Sequence, residues 1–296
     1  MVFGEPDLVC DFWTELGRNM TARIAASPDP AGLGIEEIMA IREEEDYKIM
    51  ERLRRRVADL VDDPETAEAL KPYYRFMCKR PTSSETYLTA FNLPNVTLVD
   101  VSESKGVERL TEKGIVANGV EYEVDCVVFA SGFEISTEIS RRFAVHAIEG
   151  RDGLSLFEHW HDSYRTLHGM TTRGFPNQFF TGFIQGGVSA NTTAMFEQQA
   201  EHIAYIIAEA QKRGATTVEP SAEGQDGWVD TVRQFAIDNS AFELSCTPGY
   251  YNNEGQGGAK DNGAFLGDFY SPGFYAFGDV IAEWRANGEL EGLELS

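Results

Sequence analysis

The stretch Tyr122-Glu123-Val124-Asp125-Cys126-Val127-Val128-Phe129-Ala130-Ser131-Gly132-Phe133 constrains the fold more than any other part of the chain. It opens with alternating polar and apolar residues, continues as an apolar run, and leaves through three small or flexible residues. Val124, Cys126, Val127, Val128 and Phe129 are β-branched, small-apolar or aromatic, the composition of a strand buried on both faces. In an open α/β sheet, ligands sit in the crevice outside the carboxyl ends of the strands. Ala130, Ser131 and Gly132 remove side-chain bulk at that point, which lets backbone and ligand approach closely. The run alone also fits an ordinary buried strand followed by a turn, and the elements around it decide between the two.

A length of 296 residues allows one large domain or two of ordinary size, and 42% apolar residues support a substantial core. No run of about twenty apolar residues occurs. Met1-Val2-Phe3-Gly4-Glu5-Pro6-Asp7 lacks the basic-then-apolar pattern of a secretory signal. A cytoplasmic protein without a membrane partner is expected. The formal net charge of -23 argues against nucleic-acid partners, because phosphate backbones are bound by clustered Lys and Arg. It would also slow the binding of an anionic cofactor unless basic residues gather at its site. Cys10, Cys78, Cys126 and Cys246 lie far apart with no CxxC pair, so reduced thiols are expected rather than disulfides or a zinc site.

Residues 1–70 read as helical and acidic. Ile38, Ile41, Met50, Leu53, Val57 and Leu60 broadly fit helical spacing, with Glu43-Glu44-Glu45-Asp46 as an exposed face. Glu51 and Arg55 form an i,i+4 pair, and the run Arg52, Arg54, Arg55, Arg56 reads as surface charge pairing rather than a basic binding patch. Asp62-Asp63-Pro64 reads as a helix stop. The segment Lys71-Pro72-Tyr73-Tyr74-Arg75-Phe76-Met77-Cys78-Lys79-Arg80-Pro81 then sets cations among aromatic and apolar residues. Pro81 holds Arg80 extended, and a positioned guanidinium suits a phosphate or a developing oxyanion. Basic surface residues beside a loop proline are the alternative.

Asn95 to Val101 is a strand candidate, and Gly114-Ile115-Val116 with the opening Tyr122 strand forms a meander that turns at Asn118-Gly119. No GxGxxG occurs, so a dinucleotide-binding domain is entered here without its first βαβ unit. Aromatic packing is expected of His159, His161 and His168, because no metal-ligand spacing is completed around them. Gln178 to Ile184 is a further strand candidate. It leads through Gly186-Gly187-Val188-Ser189 into a helix with Phe196, Ala200, Ile203, Ile207 and Ala210 on its apolar face. Ser189 or Asn191 caps it, and free N–H groups at such a helix start accept anions. Trp228, Val232 and Phe235 mark one more helix. The Gly, Asn and Tyr-rich loop Cys246 to Gly255 suits a ligand-facing lid, and a short helix ending near Trp284 closes the chain.

Taken in order, these motifs resemble the C-terminal half or more of Baeyer–Villiger flavin monooxygenases. Lys79-Arg80-Pro81 with Tyr87 and Phe91-Asn92 looks like the family's Lys-Arg-Pro segment. Asp125 to Phe133 looks like its Asp-x-x-x-x-Ala-Thr-Gly-Phe link, and Gly174-Phe175-Pro176-Asn177 with the glycine-containing helix entry looks like a later flavin-side segment. The resemblance covers roughly residues 70 to 290, with the acidic helical segment similar to the helical insertion before it. It departs at Ser131, where the family has threonine, and at Phe183-Ile184-Gln185, where a Gly-Pro version is common. The family's FAD- and NADP-binding GxGxxG motifs and the fingerprint between them do not occur in this sequence.

The resemblance implies an α/β fold, as a partial two-dinucleotide-binding-domain flavoprotein with a helical N-terminal segment. It divides the chain into residues 1–70 (helical insertion), 71–130 (end of the NADP-binding domain) and 131–296 (end of the FAD-binding domain with a cofactor and substrate loop). It implies FAD and NADPH as cofactors and a ketone and O2 as substrates. Arg80 would lie over the flavin and stabilise its peroxide anion. Lys79 and Tyr250 would contact NADP, and Ser131, Gly132, Gly186, Gly187, Val188 and Ser189 would lie near the flavin. The chain is expected to be inactive alone, with a separate chain carrying the N-terminal half as a partner. A non-catalytic relic or partner subunit of a split flavoprotein, or an N- or S-oxidising flavin monooxygenase, are the alternatives.

Overall fold

A computed structural model describes residues 10–133, 145, 147–238, 240–255 and 269–296. The chain forms two compact units, one running to Gly132 and the other beginning at Phe133.

The first unit is led by helices α1 (Phe12–Ala25), α2 (Ile35–Leu60) and α3 (Pro64–Leu70). Asp11 starts α1 by accepting the N–H groups of Trp13 and Thr14 at 3.0 and 3.3 Å. The expected stop at Asp62-Asp63-Pro64 follows the end of α2 at Leu60, and the same residues also start α3, Asp63 accepting from the Thr66 N–H at 2.8 Å with Pro64 in the first turn. Ile49, Met50 and Phe76 form one core with Phe12, Leu16 and Leu53. Val57, Val61 and Ala67 form another, against Leu88 of the short helix α4 (Tyr87–Ala90) and Phe91. The Glu51–Arg55 pair forms at 3.3 Å.

The acidic run of α2 departs from expectation. Glu43 and Glu44 face solvent, but Glu45 and Asp46 are buried. Each turns inward because a partner waits there. Glu45 meets Lys48 and Arg23 at 2.7 and 3.2 Å, and Asp46 accepts the Phe76 N–H at 2.9 Å. Charge alone had assigned all four residues to water.

A three-stranded antiparallel sheet follows, of β1 (Arg109–Leu110), β2 (Gly114–Ala117) and β3 (Val120–Glu123). Asn118 and Gly119 turn the expected hairpin with φ of 51° and 74°. The remaining strand expectations in this unit fail. Neither Asn95 to Val101 nor Val124 to Phe129 joins a ladder. After the Val124 N–H, which bonds the Lys113 carbonyl at 3.0 Å, no residue from Asp125 to Gly132 makes a backbone hydrogen bond to a described residue. Val128 and Phe129 are 83% and 76% exposed. An apolar run becomes a buried strand only where other strands supply partners, and the described residues supply none.

The second unit contains α5 (Leu156–His159), α6 (Thr192–Lys212), β4 (Val218–Pro220), α7 (Ala222–Gln234), α8 (Ser240–Ser245), α9 (Phe274–Asn287) and β5 (Leu293–Leu295). Strands β4 and β5 pair antiparallel, Val218 opposite Leu295. Trp160, Tyr164, Phe175 and Phe180 fill one core with Leu156 and Ile184. Trp228, Val232, Tyr270, Phe277 and Ile281 fill a second. Gln178 to Ile184 is not a strand. Side chains hold this stretch instead, as Gln199 accepts the Gly182 N–H at 2.9 Å and donates to its carbonyl at 2.7 Å.

The buried face of α6 is rotated from the expected one. Met195, Gln199, His202, Ile206 and Ala210 are buried, whereas Phe196 and Ile207 are exposed. Hydrophobic spacing selected the wrong neighbours because two of the inward positions are polar residues with partners inside. Trp228 and Val232 are buried as expected, but Phe235 is exposed beyond the end of α7. Cys10 and Cys126 are free thiols.

Candidate functional site

In the first unit the site is the end of the cationic segment. Asp46 draws that segment onto α2: Oδ1 accepts the Phe76 N–H, and Oδ2 lies 3.5 Å from the Arg75 guanidinium without forming a hydrogen bond. Burial pushes the Asp46 carboxyl upward from its ordinary range, opposed by the Phe76 bond and by the charge of Arg75. From this anchor the chain runs through buried Phe76 and Cys78 to half-buried Lys79 and exposed Arg80. The Lys79 ammonium stands 5.7 Å from the centre of the Tyr74 ring. The Arg80 guanidinium stands 5.2 Å from the centre of the Trp13 ring. A cation over an aromatic face is attracted to the ring, which keeps its direction. Arg80 forms no ion pair with a described carboxylate.

In the second unit the segment entering α6 carries the other expected residues. Gly187 is packed so tightly that a Cβ there would lie 2.5 Å from Cβ of Phe277 and 2.9 Å from the Gly273 carbonyl oxygen. Its missing side chain therefore serves the contact with the start of α9. Gly186 would have only ordinary contacts. Asn191 caps α6, accepting the Ala194 N–H at 3.2 Å, and Ser189 accepts the Asn191 N–H at 3.1 Å. The N–H groups of Val188, Ser189, Ala190, Thr192 and Thr193 donate to no described acceptor. That set of donors fits the electron-rich edge of a bound flavin or another anion.

Gln185 fixes the same segment. It is buried with φ of 45°, a strained backbone for a residue with a side chain. Its amide donates to the Tyr164 carbonyl at 3.0 Å and accepts from the Thr166 N–H and hydroxyl, while its own carbonyl accepts from the Trp228 indole at 3.0 Å. Below it lies a buried pair, His168 Nδ1 and His202 Nε2 at 3.2 Å. A guanidinium can only donate, and Arg285 reaches His202 Nδ1 at 3.4 Å, so His202 carries its proton on Nε2 and donates to His168. Trp228 and Trp284 surround the pair. Burial lowers His168 to about 3, and burial with the charges of His168 and Arg285 lowers His202 to about 2.

The remaining expected residues are placed apart from these. Ser131 and Gly132 end the exposed stretch of the first unit, Gly132 with φ of 99°. Tyr250 packs edge-on against Tyr251 at 4.5 Å in the turn organised by buried Asn252. The loop expected as a lid, Cys246 to Gly255, lies wholly within the described residues, and Asn253 to Gly255 form a short 3-10 turn. His168 packs among aromatic rings and His159 against Phe175, as expected, whereas His161 is exposed beside Asp162. Sequence reasoning missed Trp13, Asp46, Gln185 and Gln199. Only Trp13 carried a signal, as an exposable aromatic in an acidic segment.

No family model matches the chain. It is 43% identical over 294 residues to neopentalenolactone D synthase of Streptomyces avermitilis, covering 98% of this chain and 48% of that protein. It is 41% identical to a Baeyer–Villiger monooxygenase of Streptomyces coelicolor, covering 95% of this chain and 45% of that one. Among solved structures, the polycyclic ketone monooxygenase of Thermothelomyces thermophila matches 99% of this chain and 47% of its own, at 32% identity and a TM-score of 0.80. Cyclohexanone monooxygenase from Rhodococcus sp. Phi1, bound to NADP+, matches 86% of this chain and 45% of its own, at 28% identity and a TM-score of 0.69.

These matches define the class as flavin monooxygenases of the two-dinucleotide-binding-domain type. Within that class the chain belongs to the Baeyer–Villiger monooxygenase family, and it spans about half the length of the relatives it matches.

Proposed function

We propose that this chain is the Arg80-bearing part of a Baeyer–Villiger monooxygenase that inserts one atom of O2 beside a ketone carbonyl, using NADPH and FAD in the cytoplasm. The observation that carries this reading is Arg80 itself, at the family's Lys-Arg-Pro position, stacked on Trp13 and neutralised by no described carboxylate. A bound FAD, reduced by NADPH, would supply the activated oxygen. Arg80 stabilises the negative charge that develops on the ketone oxygen as the carbonyl is attacked, and its fixed position spares reorganisation at that moment. It donates hydrogen bonds and keeps its own proton. Lys79 supplies a second positive charge for a cofactor phosphate, and Tyr250, in the second unit, a ring that a cofactor can pack on. In the second unit, the N–H groups of Val188, Ser189, Ala190, Thr192 and Thr193, with Gly186 and Gly187 leading into them, would receive negative charge at a flavin edge; in the first unit, Ser131 and Gly132 would allow close backbone approach to a cofactor.

The assignment of residues 1–70, 71–130 and 131–296 to the insertion, the NADP-binding domain and the FAD-binding domain belongs to this proposal. So does the need for a polypeptide with both glycine fingerprints, joined to this chain or separate. The exposed run Val124 to Phe129 supports that need, because its composition suits a strand inside a sheet. The test joins the chain to an upstream segment that carries both fingerprints. NADPH-dependent conversion of a ketone to an ester or lactone is expected. A joined protein that binds FAD and oxidises NADPH yet forms no ester would overturn the assignment.

A further inference from the structure

Among the described residues the Arg80 guanidinium makes no hydrogen bond and no ion pair, and its carbon lies over the Trp13 ring, 5.2 Å from the centroid. All the guanidinium donors lie in one plane. A carboxylate partner would occupy two of them and offset the charge, as Glu15 does for Arg52. A ring beneath the guanidinium carbon restricts the group while leaving its charge and its donors available.

Trp13 is itself fixed from several sides. Asp11 accepts its backbone N–H at 3.0 Å, which pins the first turn of α1. The indole lies against the Phe12 ring, with centroids 5.9 Å apart and planes 28° apart. Phe12 and Leu16 pack in turn on the core of Ile49, Met50 and Phe76. Helix α1 and the segment leading to Arg80 therefore share one apolar anchor. Ion pairs tie α1 to α2 as well: Glu15 takes Arg52 through both oxygens, and Arg23 meets Glu44 and, at 3.2 Å, Glu45. Rolling or sliding α1 would break these pairs, so the indole keeps its place relative to Arg80.

We infer that Trp13 is a positioning residue for the oxygen insertion, and that α1 is the arm that presents it beneath Arg80. This rests on the ketone-oxidising reading and adds to it a residue that acts on the reaction only through Arg80. Arg80 is exposed, so loss of the ring leaves the cation present but able to turn into solvent. In the coupled reaction NADPH and a proton are consumed with O2, one oxygen atom enters the ketone and the other leaves as water. With Arg80 displaced, the same NADPH and proton reduce O2 to hydrogen peroxide and the ketone is left unchanged. A cation–ring contact at an exposed place corresponds to about a two- to fivefold change in the population of the held state.

The test has two arms. In the unjoined chain carrying isotope-labelled arginine, the ring current of Trp13 should move the Arg80 side-chain proton signals upfield, with Arg80→Lys identifying those signals. Trp13→Leu should return them to ordinary arginine positions, and Trp13→Phe should keep part of the shift. In the protein joined to a segment with both glycine fingerprints, hydrogen peroxide is measured against ester for each NADPH consumed. Trp13→Leu should raise that ratio about two- to fivefold, and Trp13→Phe, which retains a ring face, should restore much of the coupling. A merely structural role would lower turnover and leave the ratio where it was. Absence of the upfield shift in wild type, or equal ratios in the Phe and Leu variants, would overturn the inference. Wild-type ester with an unchanged ratio in Trp13→Leu sinks the inference alone. No wild-type ester sinks the ketone reading, and the arginine signals of the unjoined chain then still decide whether Trp13 holds Arg80.

Discussion

Acidification should loosen the second unit through His168 and His202, and the size of the effect follows from their burial. Both rings are held neutral, lowered to about 3 and about 2 from an ordinary value near 6.5 by burial. A histidine lowered in the folded state is charged first in the unfolded chain. Its stabilising effect is therefore complete above about pH 6.5 and declines as pH falls toward the folded values. Each pH unit within that window costs about 1.4 kcal/mol per histidine. At pH 5 the two together cost about 4 kcal/mol, a large share of a domain's stability. His159, lowered by partial burial, adds in the same direction. Urea unfolding read by tryptophan fluorescence measures this, because Trp228 and Trp284 both pack on the pair. His202→Gln should flatten the dependence between pH 7 and pH 5 by about half. A wild-type loss under about 1 kcal/mol, or the same slope in the variant, would refute the neutral buried pair.

Three further outcomes follow from the same structure. Asp46→Ala should cost about 1–3 kcal/mol, because the Phe76 N–H loses its acceptor in a buried place, whereas Asp46→Asn keeps an accepting oxygen and should cost less; urea midpoints compare the two. Gly187→Ala should cost about 1–3 kcal/mol through overpacking against Phe277 and Gly273, seen as a lowered thermal midpoint of the second unit. The purified chain should release FAD on gel filtration, and stoichiometric yellow flavin retained through the column would contradict that.

The sequence marked the end of α2 and the hairpin well, because their signals are local: Asp62-Asp63-Pro64 after a helix, Asn118-Gly119 at a turn, Glu51 and Arg55 one turn apart; that Asp63-Pro64 also start α3 was not read. The long strand Val124 to Phe129 was legible as strand composition and yet forms none, since a ladder depends on partners that no local pattern encodes. The face of α6 was misjudged for a related reason. Gln199 and His202 are inward because Gly182, His168 and Arg285 meet them there, and hydrophobic spacing cannot report such partners. Of the candidate site, Lys79 and Arg80 were readable as cations before a proline in an acidic chain. The Trp13 ring beneath Arg80 and the Asp46 anchor behind it are contacts across the fold, joined only once α1 and α2 pack.

The catalytic role proposed for Arg80 is tested by one comparison. With the chain joined to a segment carrying both glycine fingerprints, ester formation from a ketone is measured for wild type and for Arg80→Ala, alongside NADPH-driven flavin reduction. Ester is expected from wild type, none from Arg80→Ala, and flavin reduction in both. Equal ester yield from the two proteins would contradict it.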